Sequence, residues 1–291
     1  MIISIDGELV APARAVVPVT DRGFLYGDGL FEVLRTWRGV AVELDAHLAR
    51  LAASAAALQI TVPTALRAWV LQALSATATA TATIPVRPDH RVRIVVTRGE
   101  GGLRARLADV RGGHAIIYVE PLEPMAPGPA AGVRLAVVDR PVSATAGHKT
   151  LAYLEHLLAR ELAVAAGADD AVRLDARGEV AECATSNIFL VHAGRVSTPP
   201  LATGALPGIV RARVLAACAR LGVPAAATAI ALTDLRAADE LFVTSSVRGV
   251  VPVTALDGRP RAPGPVTIRL AADHDAEMSA LAEAIGDRSL L

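Results

Sequence analysis

Hydrophobic positions along the chain change period several times, and each change marks an element. Short apolar or alternating runs at 2–5 and 31–36 predict strands. From about Asp45, Leu44, Leu48, Leu51, Ala55 and Leu58 recur at helical spacing, which predicts an amphipathic helix with a buried stripe. Another helix is predicted over 66–74. The Ala/Thr tract 75–83 is low in complexity and followed by prolines, so it reads as a mobile surface loop. Strands resume at 91–97 and 115–120. The stretch PLEPMAPGPAAG at 121–132 can continue neither a helix nor an interior strand, and it marks a domain boundary. Residues 1–120 then form a small N-terminal α/β domain, 121–132 a linker and 133–291 a larger C-terminal domain.

In the C-terminal part the pattern predicts a strand at 133–139 and a loop to Lys149. A helix follows from Thr150 to Gly167, with Leu151, Leu154, Leu158 and Leu162 on one face. A hairpin pairs 170–175 with 179–183 about an Ala-Arg-Gly turn, and NIFLVH adds a strand. Another helix opens at LPGIVRARVL and ends near Gly222, and the apolar strand ELFVTSS comes after it. Strands and helices interleave throughout, so the fold class is mixed α/β. With 291 residues, 53% of them hydrophobic, the chain can fill two moderate cores.

The formal net charge is zero, so no bulk field draws the chain to nucleic acid or to an anionic membrane. No run approaches the roughly 20 apolar residues that span a bilayer. The opening MIISIDGELV lacks a basic flank before a long apolar stretch, and a cytoplasmic protein is expected. Cys183 and Cys218 form neither a CxxC pair nor a metal-spaced cluster, which predicts buried reduced thiols, no disulfide and no metal.

Charge type is more telling than net charge. Of 29 Lys plus Arg residues a single one is lysine, Lys149. Arginine can replace lysine as a solvated charge, but a guanidinium cannot lose its proton at workable pH or condense with an aldehyde. Lys149 follows a Gly-His dipeptide at a loop-to-helix junction, where it is either a solvated helix-start residue or an amine aimed into a cleft. Burial there would disfavour its charged form and free it as nucleophile and base.

Three further features stand out. In LATGALPGIVR, Pro207 and Gly208 open a helix and leave the amides of Ile209 and Val210 without intrahelical acceptors, a terminus that attracts phosphate. Thr244, Ser245 and Ser246 end an apolar strand, where hydroxyls and amides emerge together. Glu182 lies in an apolar strand-like segment and needs a partner. That partner is either an arginine or a protonated pyridine nitrogen, whose charge makes the ring an electron sink.

With these residues in place, the chain resembles the fold-type IV class of pyridoxal 5'-phosphate (PLP) enzymes. This is the class-IV aminotransferase family, which contains D-amino acid aminotransferase, branched-chain aminotransferase and aminodeoxychorismate lyase. The resemblance rests on DRGFLYGDGLFEVLRTWRG at 21–39, DAHLARLAASAAALQI at 45–60, HKTLAYLEHLLAR at 148–160, DDAVRLDARGEVAECATSNIFLV at 169–191, LPGIVR at 206–211 and ELFVTSS at 240–246. It implies two domains, the second with a β-barrel-like core, and a homodimer. It also implies Lys149 as the Schiff-base lysine, Glu182 at the pyridine nitrogen and Leu206 against the ring. Arg50, Ile209, Val210, Ser245 and Ser246 would hold the phosphate.

Among members, FEVLR at 31–35 is similar to the D-amino acid enzymes, with Phe31 standing where they typically carry tyrosine. Their Arg-x-His pair is absent from TRGEGGLRARL, which offers Arg98, Arg104 and Arg106 instead. RGEGG and KTLAYLEH also resemble the lyases, and ALPGIVR the branched-chain enzymes. The first expectation is a D-amino acid aminotransferase acting on an amino donor and a 2-oxo acid. The alternatives are lyase, branched-chain or (R)-amine chemistry. Phe31, Val33 and Arg35, alternate residues of one strand, are the expected substrate pocket, with Arg104 for the substrate carboxylate.

Overall fold

The computed structural model describes residues 1–80, 88–122, 132–143 and 145–288. In chain order the elements begin with β1 (Ile2–Ile5), β2 (Glu8–Val10), α1 (Arg22–Tyr26), β3 (Gly29–Arg35), α2 (Leu44–Leu58) and α3 (Leu66–Ala80). Next are β4 (His90–Thr97), β5 (Gly99–Glu100), β6 (Arg111–Gly112), β7 (Ala115–Pro121), β8 (Val133–Val137), α4 (Leu154–Ala165), β9 (Asp170–Leu174), β10 (Val180–Cys183) and β11 (Asn187–His192). The remainder are β12 (Arg195–Thr198), α5 (Ile209–Leu221), β13 (Ala225–Ala227), α6 (Leu232–Ala237), β14 (Glu240–Ser245), β15 (Gly249–Leu256), β16 (Arg259–Pro260) and α7 (Pro265–Arg288). The chain is mixed α/β, as its pattern predicts.

The described residues within Met1–Glu123, His148–Ala152 and Met278–Leu291 form one compact unit, and those within Pro124–Gly147 and Tyr153–Glu277 form another. In the first, five antiparallel strands are ordered β2-β1-β7-β4-β3. Alternation divides the sheet's two faces. Leu30 and Leu34 of β3, Val92, Ile94 and Val96 of β4 and Ile117 and Val119 of β7 meet Leu44, Leu51 and Ala55 of α2 and Leu66, Val70 and Ala73 of α3 in one core. Phe31, Val33 and Arg35 alternate with these core residues. The helix α3 runs on to Ala80, so the first part of the Ala/Thr tract is helix rather than loop. Alanine is the best helix former and the stripe above it already packs, which outweighs the weaker preference of threonine. Residues 81–87, and 123–131 of the expected linker, lie outside the described residues.

In the second unit nine strands curl into half a barrel, ordered β10-β9-β8-β15-β14-β11-β12-β13, with β16 on β15. The strand β11 is buried on both faces. Ile188 and Leu190 join Val133, Leu135, Val172, Val243, Val253 and Leu235 of α6, while Phe189 and Val191 join Val210, Val214 and Cys218 of α5. Phe189 stacks on Phe242 with centroids 4.7 Å apart.

The helix expected from Thr150 begins at Leu154 instead, and its leucine stripe faces outward. Leu154, Leu158 and Leu162 are exposed, and the buried face is Ala159 and Ala163. These small residues pack against Ala136, Ala171 and Ala184, so the helix lies close on the sheet. A leucine at either position would hold it off.

Candidate active site

The side chains expected to carry the chemistry fall into two groups, one in each unit. In the first unit, β3 is the edge strand, and residues 149–151 pair along it rather than entering a helix. The Phe31 N–H donates to the Lys149 carbonyl at 2.9 Å, and the Leu151 N–H donates to the Gly29 carbonyl at 2.9 Å. This pairing needs Gly27. Its φ is 66°, and a Cβ there would stand 2.9 Å from the Ala152 nitrogen.

The extended backbone points Lys149 at Phe31, with Nζ 4.5 Å from the ring centroid. The Arg93 guanidinium lies over the same ring at 4.2 Å. Arg93 sits on β4 directly across from Val33, on the face that alternation leaves away from the core. Arg35 is held by Asp89 at 2.5 Å and lies over Trp37 at 4.2 Å. Arg104 is exposed on a loop. Arg98 bonds both oxygens of Asp28 and donates to the carbonyls of Leu58 and Gln59, closing the end of α2. Arg93 thus lies over Phe31, the ring that Lys149 also meets.

Arg50, on α2, donates from Nε and Nη2 to the two oxygens of Glu32 at 2.8 and 2.5 Å. His47 Nδ1 is 2.7 Å from the same carboxylate. Glu32 is 1% exposed. Burial pushes its carboxyl up, but the hydrogen bonds from Arg50 and His47, with their charge, outweigh that and hold it below the usual carboxylate range. Arg50 is therefore fixed in direction by a buried anion.

In the second unit, Glu182 is buried on β10, and its Oε2 accepts the Leu206 N–H at 2.9 Å. Asn187 Nδ2 donates to the Leu206 carbonyl at 2.9 Å and stands 3.5 Å from the same Oε2. A Cβ on Gly208 would fall on Asn187 Oδ1, so glycine is required where the chain passes this amide. Gly208 is the N-cap of α5 and has no side-chain cap, which leaves the Ile209 and Val210 amides at an uncapped terminus. Asn187 also pairs with Thr244 across β11 and β14, and Ser245 and Ser246 follow at the strand end, both half-buried. The Asn187 side chain thus links Glu182, Leu206 and the start of α5, while its backbone pairs with the end of β14. Beside it, buried Asp170 receives the Ala171 N–H, the Thr185 hydroxyl and the Ser186 hydroxyl at 2.8, 2.7 and 3.1 Å, which fixes the turn from β10 to β11. Burial raises its carboxyl above the usual range, against those hydrogen bonds.

Sequence reasoning passed over Glu32, His47, Arg93 and Asn187. For Glu32 the signal was present, since alternation puts a carboxylate on the apolar face with Leu30 and Leu34. His47 and Arg50 are three apart on one helix face and could have been matched to it. Arg93 carried no such signal, because its place beside Phe31 depends on strand register. Among the described residues no helix is long and apolar enough to cross a membrane, and no cluster suits a metal ion.

The profile of class IV amino-transferases matches residues 29–256. A putative branched-chain-amino-acid aminotransferase of Methanocaldococcus jannaschii is 36% identical, with 89% of each chain covered. A D-alanine aminotransferase of Bacillus licheniformis is 30% identical over 92% of this chain and 93% of its own. The crystal structure of 4-amino-4-deoxychorismate lyase from Pseudomonas aeruginosa superposes with a TM-score of 0.80 at 32% identity, covering 95% of this chain and 99% of that one. The chain belongs to the class IV aminotransferases and is a PLP-dependent enzyme.

Proposed function

We propose that this protein is a cytoplasmic, homodimeric transaminase that moves the amino group of a small D-amino acid to a 2-oxo acid. The observation that carries the reading is the pair of cations at the Phe31 ring, the Lys149 amine and the Arg93 guanidinium. An amine that takes up nitrogen beside a fork that receives a carboxylate suits an α-amino acid better than a simple amine.

The residues fit the cofactor. A buried carboxylate suits a ring nitrogen that carries a proton, and an uncapped helix start with adjacent hydroxyls suits a phosphate. When bound, PLP supplies an aldehyde for the donor's nitrogen and a ring that draws electron density from the donor's α-carbon. Lys149 would hold the cofactor through Nζ, and the same Nζ would take the donor's α-proton and deliver it. Glu182 holds the proton on the ring nitrogen. The Ile209 and Val210 amides, Ser245, Ser246 and Arg50 receive the phosphate, and Leu206 packs against the ring. Phe31 and Val33 line the substrate side and exclude water, and Arg93 takes the substrate carboxylate, a role expected from sequence for Arg104.

D-alanine aminotransferases among the relatives and the Phe-Glu-Val strand support a D-amino acid donor. Exposed Val16, Val19 and Phe24 in one unit and Leu154 and Leu157 in the other support association with a second copy. The two cysteines are buried and unpaired, in keeping with a reducing compartment.

The test begins with visible absorbance on adding PLP, which Lys149→Ala must abolish. Turnover is then measured with D-alanine, L-leucine, (R)-1-phenylethylamine and aminodeoxychorismate. D-alanine with 2-oxoglutarate is the expected pair. Turnover of aminodeoxychorismate alone would establish the lyase reading that the Pseudomonas structure favours, and turnover of L-leucine alone the branched-chain one. Arg93→Leu raises KM for 2-oxo acids about tenfold or more and leaves PLP absorbance intact.

A further inference from the structure

A buried guanidinium faces Glu182 and has no place in the roles assigned so far. Arg173 stands on β9 in a strand of otherwise apolar residues after Asp170, is 0% exposed, and is the cross-strand neighbour of Glu182. Partners of that pair point to the same side of the sheet. An arginine this deep loses most of its hydration and persists only with its donors engaged and an anion nearby.

Its donors are engaged in an unusual way. Nε donates to the Arg140 carbonyl at 3.1 Å and Nη2 to the Pro141 carbonyl at 2.7 Å, both in the loop that leads to Lys149 in sequence. Nη1 lies 3.3 Å from His156 Nδ1. That ring nitrogen is also 2.9 Å from the Ala184 carbonyl, so it directs a proton at the carbonyl or a lone pair at the guanidinium, one at a time. His156 stacks on Tyr153 with centroids 4.4 Å apart, and the Tyr153 hydroxyl donates to the same Ala184 carbonyl at 3.2 Å. The carbonyl belongs to the second residue after Glu182. The loop before Lys149 is thereby tied to Arg173, and the backbone after Glu182 to the Tyr153 and His156 side chains that pack beside it.

The charges around the guanidinium come from each element packed on it. They are Glu182 on β10, and Glu155, Tyr153 and His156 at the start of α4; Asp170 shares its own strand. Arg134 of β8 is paired with Asp169. Of the two glutamates whose charge acts on the guanidinium, Glu155 is exposed and Glu182 is buried. Burial lowers the pKa of Arg173 while the nearby Glu182 charge opposes that lowering. The same attraction acts on the carboxylate.

We propose that Arg173 is a positioning residue for Glu182: it keeps that carboxylate ionised and aligned, and it pins the Arg140–Pro141 loop ahead of Lys149. The inference rests on the role proposed above for Glu182. Without the guanidinium, a buried Glu182 takes a proton more readily and holds the one on the cofactor's ring nitrogen less well.

The test is a cycle of four purified holoenzymes: wild type, Arg173→Met, Glu182→Gln and the double variant, with Arg173→Lys as a fifth. Three quantities are read: the affinity for PLP from its visible absorbance, the pH midpoint of that absorbance, and kcat with KM. In Arg173→Met, PLP affinity and kcat fall about tenfold, the pH midpoint rises, and donor KM stays within about twofold. In the Glu182→Gln background the same substitution adds less than about twofold, because the carboxylate through which it acts is gone. Arg173→Lys keeps the charge without the fork and returns the pH midpoint toward wild type. Effects that multiply independently across the cycle, or a lysine variant displaced as far as the methionine one, would overturn the proposal. A wild type that shows no absorbance with PLP overturns the assigned function itself, whereas a coloured wild type with an additive cycle overturns the role of Arg173 alone.

Discussion

Replacing Glu32 by glutamine removes the negative charge at the centre of the Glu32, His47 and Arg50 cluster while keeping the shape. Glu32 is 1% exposed and takes two hydrogen bonds from Arg50 at 2.8 and 2.5 Å, with His47 at 2.7 Å. Removing one partner of a buried ion pair costs about 3–5 kcal/mol. The Arg50 side chain retains 11% exposure, and glutamine still offers one carbonyl oxygen, so the lower end, about 3 kcal/mol, is expected.

The assay is urea denaturation followed by tryptophan fluorescence. Both tryptophans, Trp37 and Trp69, belong to the unit that holds the cluster. The pH dependence has a fixed sign. The folded carboxyl lies below its unfolded value of about 4.3, so its contribution is complete above about pH 5 and is lost as pH falls through the folded value. The gap between wild type and Glu32→Gln is therefore constant from about pH 5 to 7 and closes in acid. A variant within about 0.5 kcal/mol of wild type at neutral pH, or a gap that persists unchanged into acid, would refute the reasoning.

Gly208→Ala sets a methyl against Asn187 Oδ1 and displaces the Leu206 turn from Glu182, so PLP affinity in an absorbance titration falls about tenfold with little change in the fold by circular dichroism. On α4, Ala163→Leu overpacks a buried alanine contact and costs about 1–3 kcal/mol in urea. Leu162→Gln on the exposed face stays within about 0.5 kcal/mol of wild type, and the opposite ranking would restore the leucine stripe as the core face. Asp170→Asn removes a carboxylate that burial already disfavours but leaves its four donors, the Thr185 N–H at 3.3 Å among them, one acceptor oxygen short. The variant loses stability at pH 7, and the loss widens as acid protonates the wild-type group, because a carboxyl whose pKa is raised by folding stabilises the wild type on taking up its proton.

The sequence by itself determined which chemistry the chain can perform. A lone lysine, a carboxylate in an apolar strand and a proline-glycine helix start are legible because each residue type is unusual for its local setting, and no partner need be known to see that. The strands and most helices were legible for a similar reason, since period two and period 3.6 are properties of consecutive residues. Tertiary structure decided what depends on pairing between distant segments. The register of β3 and β4 brings Arg93 to Phe31, and that register joins segments about sixty residues apart in sequence. Residues 149–151 look like the first turn of a helix, but the open edge of β3 captures their backbone, because an edge strand's unpaired groups gain more from a partner than a frayed helix end does. The leucines of α4 form a helical stripe in sequence, yet the alanines face the sheet, since close packing rewards the face that fits the surface opposite rather than the face that is most apolar.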